Sequence, residues 1–243
     1  MLNLIMTEFV KFRRRRFIWL MLLAAFLMPF AAVFYFGPES REIEAMAFYK
    51  FAAFSYTSWI VLPIVLGLLC TMLMYDEYQN NMFKQLWIIP VNKMSFFISK
   101  FIVVFAYSLC FMALTAFISV LTGIAAGIIS FTADSFYFLL IKCLEIGVLT
   151  PFAMIPVLTV AASQKGYILP VCFAIVYTFT GFIFLMVNMY LHPLSDTAAV
   201  LLRNIDGVIL NKPVNIRLAF LSIGLWDSVF ALSAKAALNK DSR

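Results

Sequence analysis

Three ionisable residues stand inside long apolar stretches of this sequence and are the first candidates for chemistry: Lys142, Glu145 and Asp227. A charge at the centre of a bilayer costs roughly 2.5–3.5 kcal/mol on insertion scales, so such residues usually face protein or water. Lys142 and Glu145 are three residues apart and share one helix face, where they can neutralise each other. Two interpretations stay open: a polar lining of a substrate path or gate, or an ion pair that fixes helix packing.

The sequence lacks the motifs of common hydrolases and nucleotide-binding proteins. Its single histidine, His192, belongs to no HExxH motif, and we expect it to be an exposed turn residue at a helix end. There is no GxSxG elbow and no GxxxxGK[ST] phosphate loop. The four cysteines fall singly in different apolar runs, which is typical of small buried hydrophobes. We therefore expect no catalytic residue, no metal ligand and no cofactor bound by this chain.

The composition places the chain in a lipid bilayer. The 243 residues are 64% hydrophobic and 12% charged, whereas soluble domains carry about 25% charged residues. The net charge of +6 collects at the ends of apolar segments, where lipid headgroups and topology account for it, so we expect no nucleic-acid partner. A chain in lipid must satisfy its backbone within helices. We therefore predict an all-α membrane protein with one domain over 1–243.

Six segments reach the length of about 20 apolar residues that a membrane-spanning helix needs. The predicted spans are 17–36, 51–75, 97–129, 136–162, 167–190 and 218–237. Before them, apolar residues recur at helical spacing over 1–16, which predicts an amphipathic helix in the membrane interface. The basic run Arg13–Arg16 that follows is typical of a topology anchor. The segment Leu191–Arg217 is neither hydrophilic enough for a free loop nor apolar enough to span, so we predict short re-entrant helices before helix six.

The distribution of Lys and Arg predicts the orientation of the chain. With the N-terminus inside, the inner segments hold 12 basic residues and the outer segments hold five. Basic residues accumulate in the cytoplasmic connections of membrane proteins. The sequence therefore predicts that both termini, and the connection between helices two and three, lie in the cytoplasm.

That connection, 76–100, is the longest polar interruption on the predicted inner side and reads DEYQNNMFKQLWIIPVNKMSFFISK. It combines charged residues with an apolar strip that includes Phe83, Leu86 and Trp87. A plain connector needs neither that length nor that mixture, so we predict a cytoplasmic coupling helix that docks on a soluble partner. The alternative is an interfacial loop held by Trp87 and by lysines that snorkel to the headgroups.

The same stretch resembles the connection between helices two and three of ABC-2-type transporter permeases. That family commonly shows an acidic-aromatic pair, a Gly-Thr-like turn, a Lys, then LxxxPVSR and a Lys that opens helix three. Here Glu77-Tyr78 stands at the acidic-aromatic pair and Lys84 follows. Asn81-Met82 replaces Gly-Thr, and Asn92-Lys93 replaces Ser-Arg. The short chain looks most like the permeases of bacitracin-type and lantibiotic-immunity exporters.

The resemblance implies a non-catalytic permease subunit in a bacterial plasma membrane. It implies two copies of a separate ABC ATPase, which bind ATP and Mg²⁺, and a second permease that is identical or paralogous. The expected cargo is a peptide antibiotic or another amphiphile. The residues expected to couple to the ATPase are Glu77, Tyr78, Asn81, Phe83, Lys84, Leu86 and Trp87. Two alternatives remain, an intramembrane enzyme and an ATP-independent immunity or scaffold protein.

Overall fold

The computed structural model of the chain describes residues 2–37, 43–80, 93–203 and 214–240. Within these ranges the chain forms helices and turns, without a β-strand. Six helices are long and apolar enough to cross a membrane. The prediction of an all-α membrane protein with six spans is thereby confirmed.

The first helix, α1, covers Leu2–Arg13. The six candidate spans follow in chain order, with a short helix α7 before the last of them. They are α2 (Arg16–Phe36), α3 (Ala45–Gln79), α4 (Lys93–Ala125), α5 (Ala133–Ser163), α6 (Ile168–Val187), α7 (Pro193–Leu202) and α8 (Ile216–Lys240). The predicted spans overlap all six long helices, and the boundaries differ most in α3 and α4.

Helix α3 begins at Ala45, six residues before the predicted start. The predicted span began directly after the charged Lys50, whereas the helix includes Lys50 within its first turns. Two π-helical turns, Lys50–Phe54 and Thr57–Val61, come just before Pro63. Proline lacks an N–H and its ring crowds the preceding turn, and wider turns accommodate such a disturbance. The hydroxyl of Thr57 donates to the Ala52 carbonyl at 3.1 Å, so a side chain supplies part of the hydrogen bonding there.

Helix α4 ends at Ala125, four residues before the predicted end. Gly127 has φ +67°, a left-handed conformation that glycine adopts without strain and that commonly ends helices. The Ile128 N–H then bonds back to the Gly123 carbonyl at 3.1 Å. The chain turns because of this glycine, although the following residues are apolar enough to continue the span.

Helix α5 is broken at Met154, between an α-helix that ends at Ala153 and one that begins at Ile155. Pro151 and Pro156 flank the break and remove backbone donors on both sides. The hydroxyl of Tyr177, on α6, donates to the Ala153 carbonyl at 2.7 Å. The neighbouring helix α6 thus supplies a hydrogen bond to a backbone carbonyl at the break. Backbone polar groups at membrane depth need such partners within the protein.

Helix α3 is the most enclosed of the spans, with 67% of its apolar window buried, whereas α8 has 11% buried. Helix α6 packs closely on α3, and a Cβ added to Gly67 would stand 2.5 Å from the Cβ of Ala174. Four spans separate the start of α4 from the end of α8, and this even number brings the end of α3, the start of α4 and the end of α8 to one end of the bundle, where Lys93 bonds to Leu238. Helix α1 packs at that same end.

Candidate functional site: ion pairs beside the coupling segment

The connection 76–100, which we call the coupling segment, is described by the structure only at its two ends. Residues 76–80 complete α3, and Lys93–Lys100 opens α4. Asn81, Phe83, Lys84, Leu86 and Trp87 lie outside the described residues. The coupling helix and its contact with an ATPase therefore stay predictions. The structure shows how the two ends of the segment are held by the surrounding helices.

Four charged side chains from three helices meet at these ends. Lys100 of α4 donates to Glu77 Oε1 of α3 at 2.6 Å and also to Glu8 of α1. Lys11 of α1 lies 3.1 Å from the same Glu77 oxygen and 3.4 Å from Glu8 Oε1. We call Glu8, Lys11, Glu77 and Lys100 the ion cluster. Two carboxylates balance two ammonium groups, so its formal charge is zero.

The ion cluster is largely out of solvent. Lys100 is 1% exposed, Glu77 3% and Glu8 4%. Burial acts to lower the pKa of Lys11, but the carboxylates of Glu77 and Glu8 outweigh burial, so its pKa is raised. Buried pairs of this kind gain little net stability, yet removing one partner is strongly destabilising because it leaves an uncompensated charge. The ion cluster therefore holds α1, α3 and α4 in one arrangement.

Further contacts attach both ends of the segment to other helices. Tyr78, at the end of α3, donates its hydroxyl to the Ala162 carbonyl near the end of α5 at 2.6 Å. Lys93, at the start of α4, donates to the Leu238 carbonyl in α8 at 2.9 Å. Arg15 pairs with Asp76 beside the ion cluster. A displacement of the segment would thus act directly on α1, α3, α4, α5 and α8.

Sequence reasoning missed Glu8, the residue that brings α1 into the ion cluster. Ile5 and Phe12 are among the apolar residues that recur at helical spacing in α1, and Glu8 falls between them on the same face. In the structure Leu4 and Phe12 pack on the bundle, Glu8 is buried with them, and Phe9 is 39% exposed. An acidic residue within an apolar stripe was the available signal, and it implies a buried cation on the facing helix.

The three intramembrane candidates lie at two separate places in the structure. Lys142 donates to Glu145 at 2.6 Å, so the ion pair expected from their spacing is present. Asp227 lies on α8 and interacts electrostatically with Tyr177 of α6. Its Oδ1 atom is buried without a hydrogen-bond partner among the described residues. Whether these three residues line a transport path stays a prediction.

The expectation that His192 is exposed is wrong, because its side chain is 6% exposed. The ring packs 4.2 Å from the ring of Tyr177 on α6. Gly181 permits this approach, since a Cβ there would stand 2.8 Å from Leu194 Cβ and 3.1 Å from His192 Nδ1. His192 Nδ1 accepts the Leu194 N–H at 3.2 Å and thereby caps α7. Its role in the described structure is to position that helix.

The six apolar helices define a multi-pass membrane protein. A family profile described as "ABC-2 family transporter protein" matches residues 4–181, which is most of the chain. The chain belongs to this family and is a transmembrane transporter component of the permease type. Permeases of this family work with an ABC ATPase and are generally not catalytic themselves. No curated protein matches the chain.

Proposed function

We propose that this chain is the permease subunit of an ATP-driven exporter and that 76–100 is its contact with the ATPase. The ion cluster is the observation that carries this proposal. A segment that only linked two spans would not need buried charges from three helices to hold its ends. ATP and Mg²⁺ would be bound by the partner, and the permease would respond through movement of the segment.

The proposed movement passes through packed, discrete contacts. Force on the segment reaches α3 and α4 directly, and it reaches α1 through Glu8 because Glu8 pairs with Lys100. Tyr78 and Lys93 extend the connection to α5 and α8. Switching between two states requires an element whose contacts differ between them. The paired ends of the segment supply a unit that can move as one body.

The proposed orientation has both termini and the coupling segment in the cytoplasm. The excess of basic residues in the inner segments, 12 against five, supports it. The fold supports a shared side for these parts, since Lys93 bonds to Leu238 and Lys11 bonds to Glu77. In this orientation α1 lies along the inner interface, and α7 is the re-entrant helix on the outer side.

The proposed cargo is a peptide antibiotic of the lantibiotic or bacitracin type, or another amphiphile, removed from a bacterial plasma membrane for resistance or self-immunity. This rests on the resemblance of the short chain to such permeases. We further propose two ATPase copies and a second permease, identical or paralogous. The aromatic and methionine content, with 27 Phe and 13 Met, suits an adaptable apolar path.

The decisive test is to purify the chain with its candidate ATPase, reconstitute the complex in lipid vesicles, and measure ATP hydrolysis with and without lantibiotics. We expect a stable complex whose hydrolysis rate rises with the transported peptide. Protection of cells without any ATPase would instead indicate an ATP-independent immunity protein. Chemical conversion of lipid or peptide by the chain alone would indicate an intramembrane enzyme.

A further inference from the structure

Buried polar atoms without a hydrogen-bond partner collect around α7 in the described part of the chain. They are Trp59 Nε1, His192 Nε2, both carboxylate oxygens of Asp196, and Asp227 Oδ1. Burying such a group unpaired costs about 1–3 kcal/mol, and native structures contain few of them. Their concentration at one short helix calls for an explanation specific to that helix.

Asp196 is the most enclosed of these groups. Its residue exposure is 0%, and every residue of α7 is buried. The ionised form of a carboxyl group in such a place needs a cation or several hydrogen bonds. The neighbouring hydroxyl of Ser222 on α8 donates to the Tyr190 carbonyl at 3.1 Å. Because that hydroxyl is engaged with Tyr190, it stabilises the ionised form of Asp196 only in part, and burial outweighs its effect on the pKa of the carboxyl group.

Among the residues that the structure describes, the titratable groups around Asp196 supply no compensating positive charge. Tyr177 of α6 is neutral and donates to Ala153 at 2.7 Å, and Asp227 of α8 is itself acidic. Burial lowers the pKa of His192 to about 4, so its ring is neutral near pH 7. On α5, which also packs against α7, Lys142 is paired with Glu145 at 2.6 Å. On α3, Trp59 borders the cavity beside α7, and its indole does not titrate.

The enclosure of Asp196 decides which cation can reach it. Asp196 is 0% exposed, and it does not line the cavity of about 10 Å³ beside α7, which Trp59, Thr178 and Leu194 border. A carboxyl group enclosed in this way has no room beside it for the ammonium group of a peptide or a hydrated metal ion. Burial raises the pKa of the Asp196 carboxyl to about 7. A proton is the cation that fits.

We propose that Asp196 is a proton-binding site and that the bound proton holds α7 in its docked position against α6 and α8. When the proton leaves, the carboxylate must gain water or another donor. The described residues packed around Asp196 offer neither, so α7 loosens from its neighbours. The site lies at the end of the bundle opposite the ion cluster, and it acts independently of any ATPase contact.

The sign of the pH dependence follows from the difference between docked and exposed carboxyl groups. The pKa of Asp196 is about 7 when α7 is docked, against an ordinary value of 3.8. The stabilisation is complete below pH 3.8 and is lost as the pH rises through about 7. Within that window the docking equilibrium weakens up to about tenfold per pH unit, or about a thousandfold in all. Above it, no further change is expected.

Hydrogen–deuterium exchange of the full chain in lipid nanodiscs tests the proposal. The measured quantity is the protection of the α7 amides between pH 5 and pH 8, corrected for intrinsic exchange. In the unaltered chain we expect protection to fall up to about tenfold per pH unit and to level off above pH 7. In Asp196→Asn, which keeps the shape of the neutral acid, we expect protection to stay constant. Asp134→Asn alters an exposed carboxyl on α5 and should match the unaltered chain.

Three results would overturn the proposal. Protection of α7 in the unaltered chain that does not change with pH would do so, as would an Asp196→Asn variant that follows the unaltered chain. Low protection of the variant at every pH would show that α7 needs the ionised carboxylate instead. If the variant fails size-exclusion chromatography, the pH slope of α7 in the unaltered chain, relative to that of α4, decides the question.

Discussion

At the scale of single residues, the ion cluster depends most on Lys100, which bonds both carboxylates. Replacing it by methionine, Lys100→Met, keeps the length of the side chain and removes the charge. Glu8 and Glu77 would then share Lys11 alone, and one buried carboxylate would be left without a counter-charge. We expect unfolding to become easier by about 3–5 kcal/mol, as when one partner of a buried pair is lost. Thermal unfolding in detergent measures the change.

The matched control is Lys235→Met on α8, where the side chain is exposed. Exposed substitutions usually change stability by less than about 0.5 kcal/mol. Equal melting temperatures for the two methionine variants would contradict a structural role for the ion cluster.

The intramembrane carboxylates of Glu145 and Asp227 allow a second prediction at the residue scale. It distinguishes a role in lining the transport path from a role in helix packing. Glu145→Gln and Asp227→Asn keep the size of each side chain and remove its charge. If these residues line the transport path, both variants should assemble normally and export less substrate, measured as uptake into inverted vesicles. Asp134→Asn is the control, because that carboxyl is exposed. Unchanged export by both variants would reject the lining interpretation and leave the Lys142–Glu145 pair a packing device.

At the scale of elements, the contact between α3 and α6 requires the absence of a side chain at Gly67. A methyl group there would stand 2.5 Å from Ala174 Cβ, so Gly67→Ala should push the helices apart and destabilise the chain by about 1–3 kcal/mol. The double variant Gly67→Ala with Ala174→Gly moves the methyl group from one helix to the other. We expect it to recover most of the loss in thermal unfolding.

The control for this pair is Gly224→Ala on α8, where an added Cβ has nothing within 4 Å. It should leave the melting temperature nearly unchanged. A double variant no more stable than Gly67→Ala alone would contradict the direct contact.

The long helices followed from the sequence because their apolar length is a property of each segment alone. Where the prediction failed, the cause was a contact or a backbone conformation. The left-handed Gly127 ends α4 within an apolar run, and His192 is buried because Gly181 lies beneath it. The role of Glu8 was not predicted because it depends on an ion pair with Lys100, which is 92 residues away in the sequence. Pair formation between Lys142 and Glu145 was predictable, since both lie on one helix.

At the scale of the whole molecule, the ion cluster lies at one end of the bundle and α7 at the other, with α3 buried between them. If the coupling segment drives transport, α1 takes part through Glu8. The variant Glu8→Gln leaves Lys100 paired with Glu77 at 2.6 Å. The side chain of Lys11 is 32% exposed and can be solvated, so the chain should still fold and bind its ATPase. What weakens is the link from the segment to α1.

For the reconstituted complex of Glu8→Gln we therefore expect ATP hydrolysis to continue while the amount transported per ATP falls about tenfold, a change of the size typical for the loss of one coupling contact. Parallel assays of hydrolysis and peptide uptake in the same vesicles give that ratio. Glu44→Gln, an exposed carboxyl before α3 at the opposite end of the bundle, should keep the ratio of the unaltered complex. A Glu8→Gln complex with an unchanged ratio would mean that α1 only anchors the chain, because the movement of the segment would then reach the spans without it.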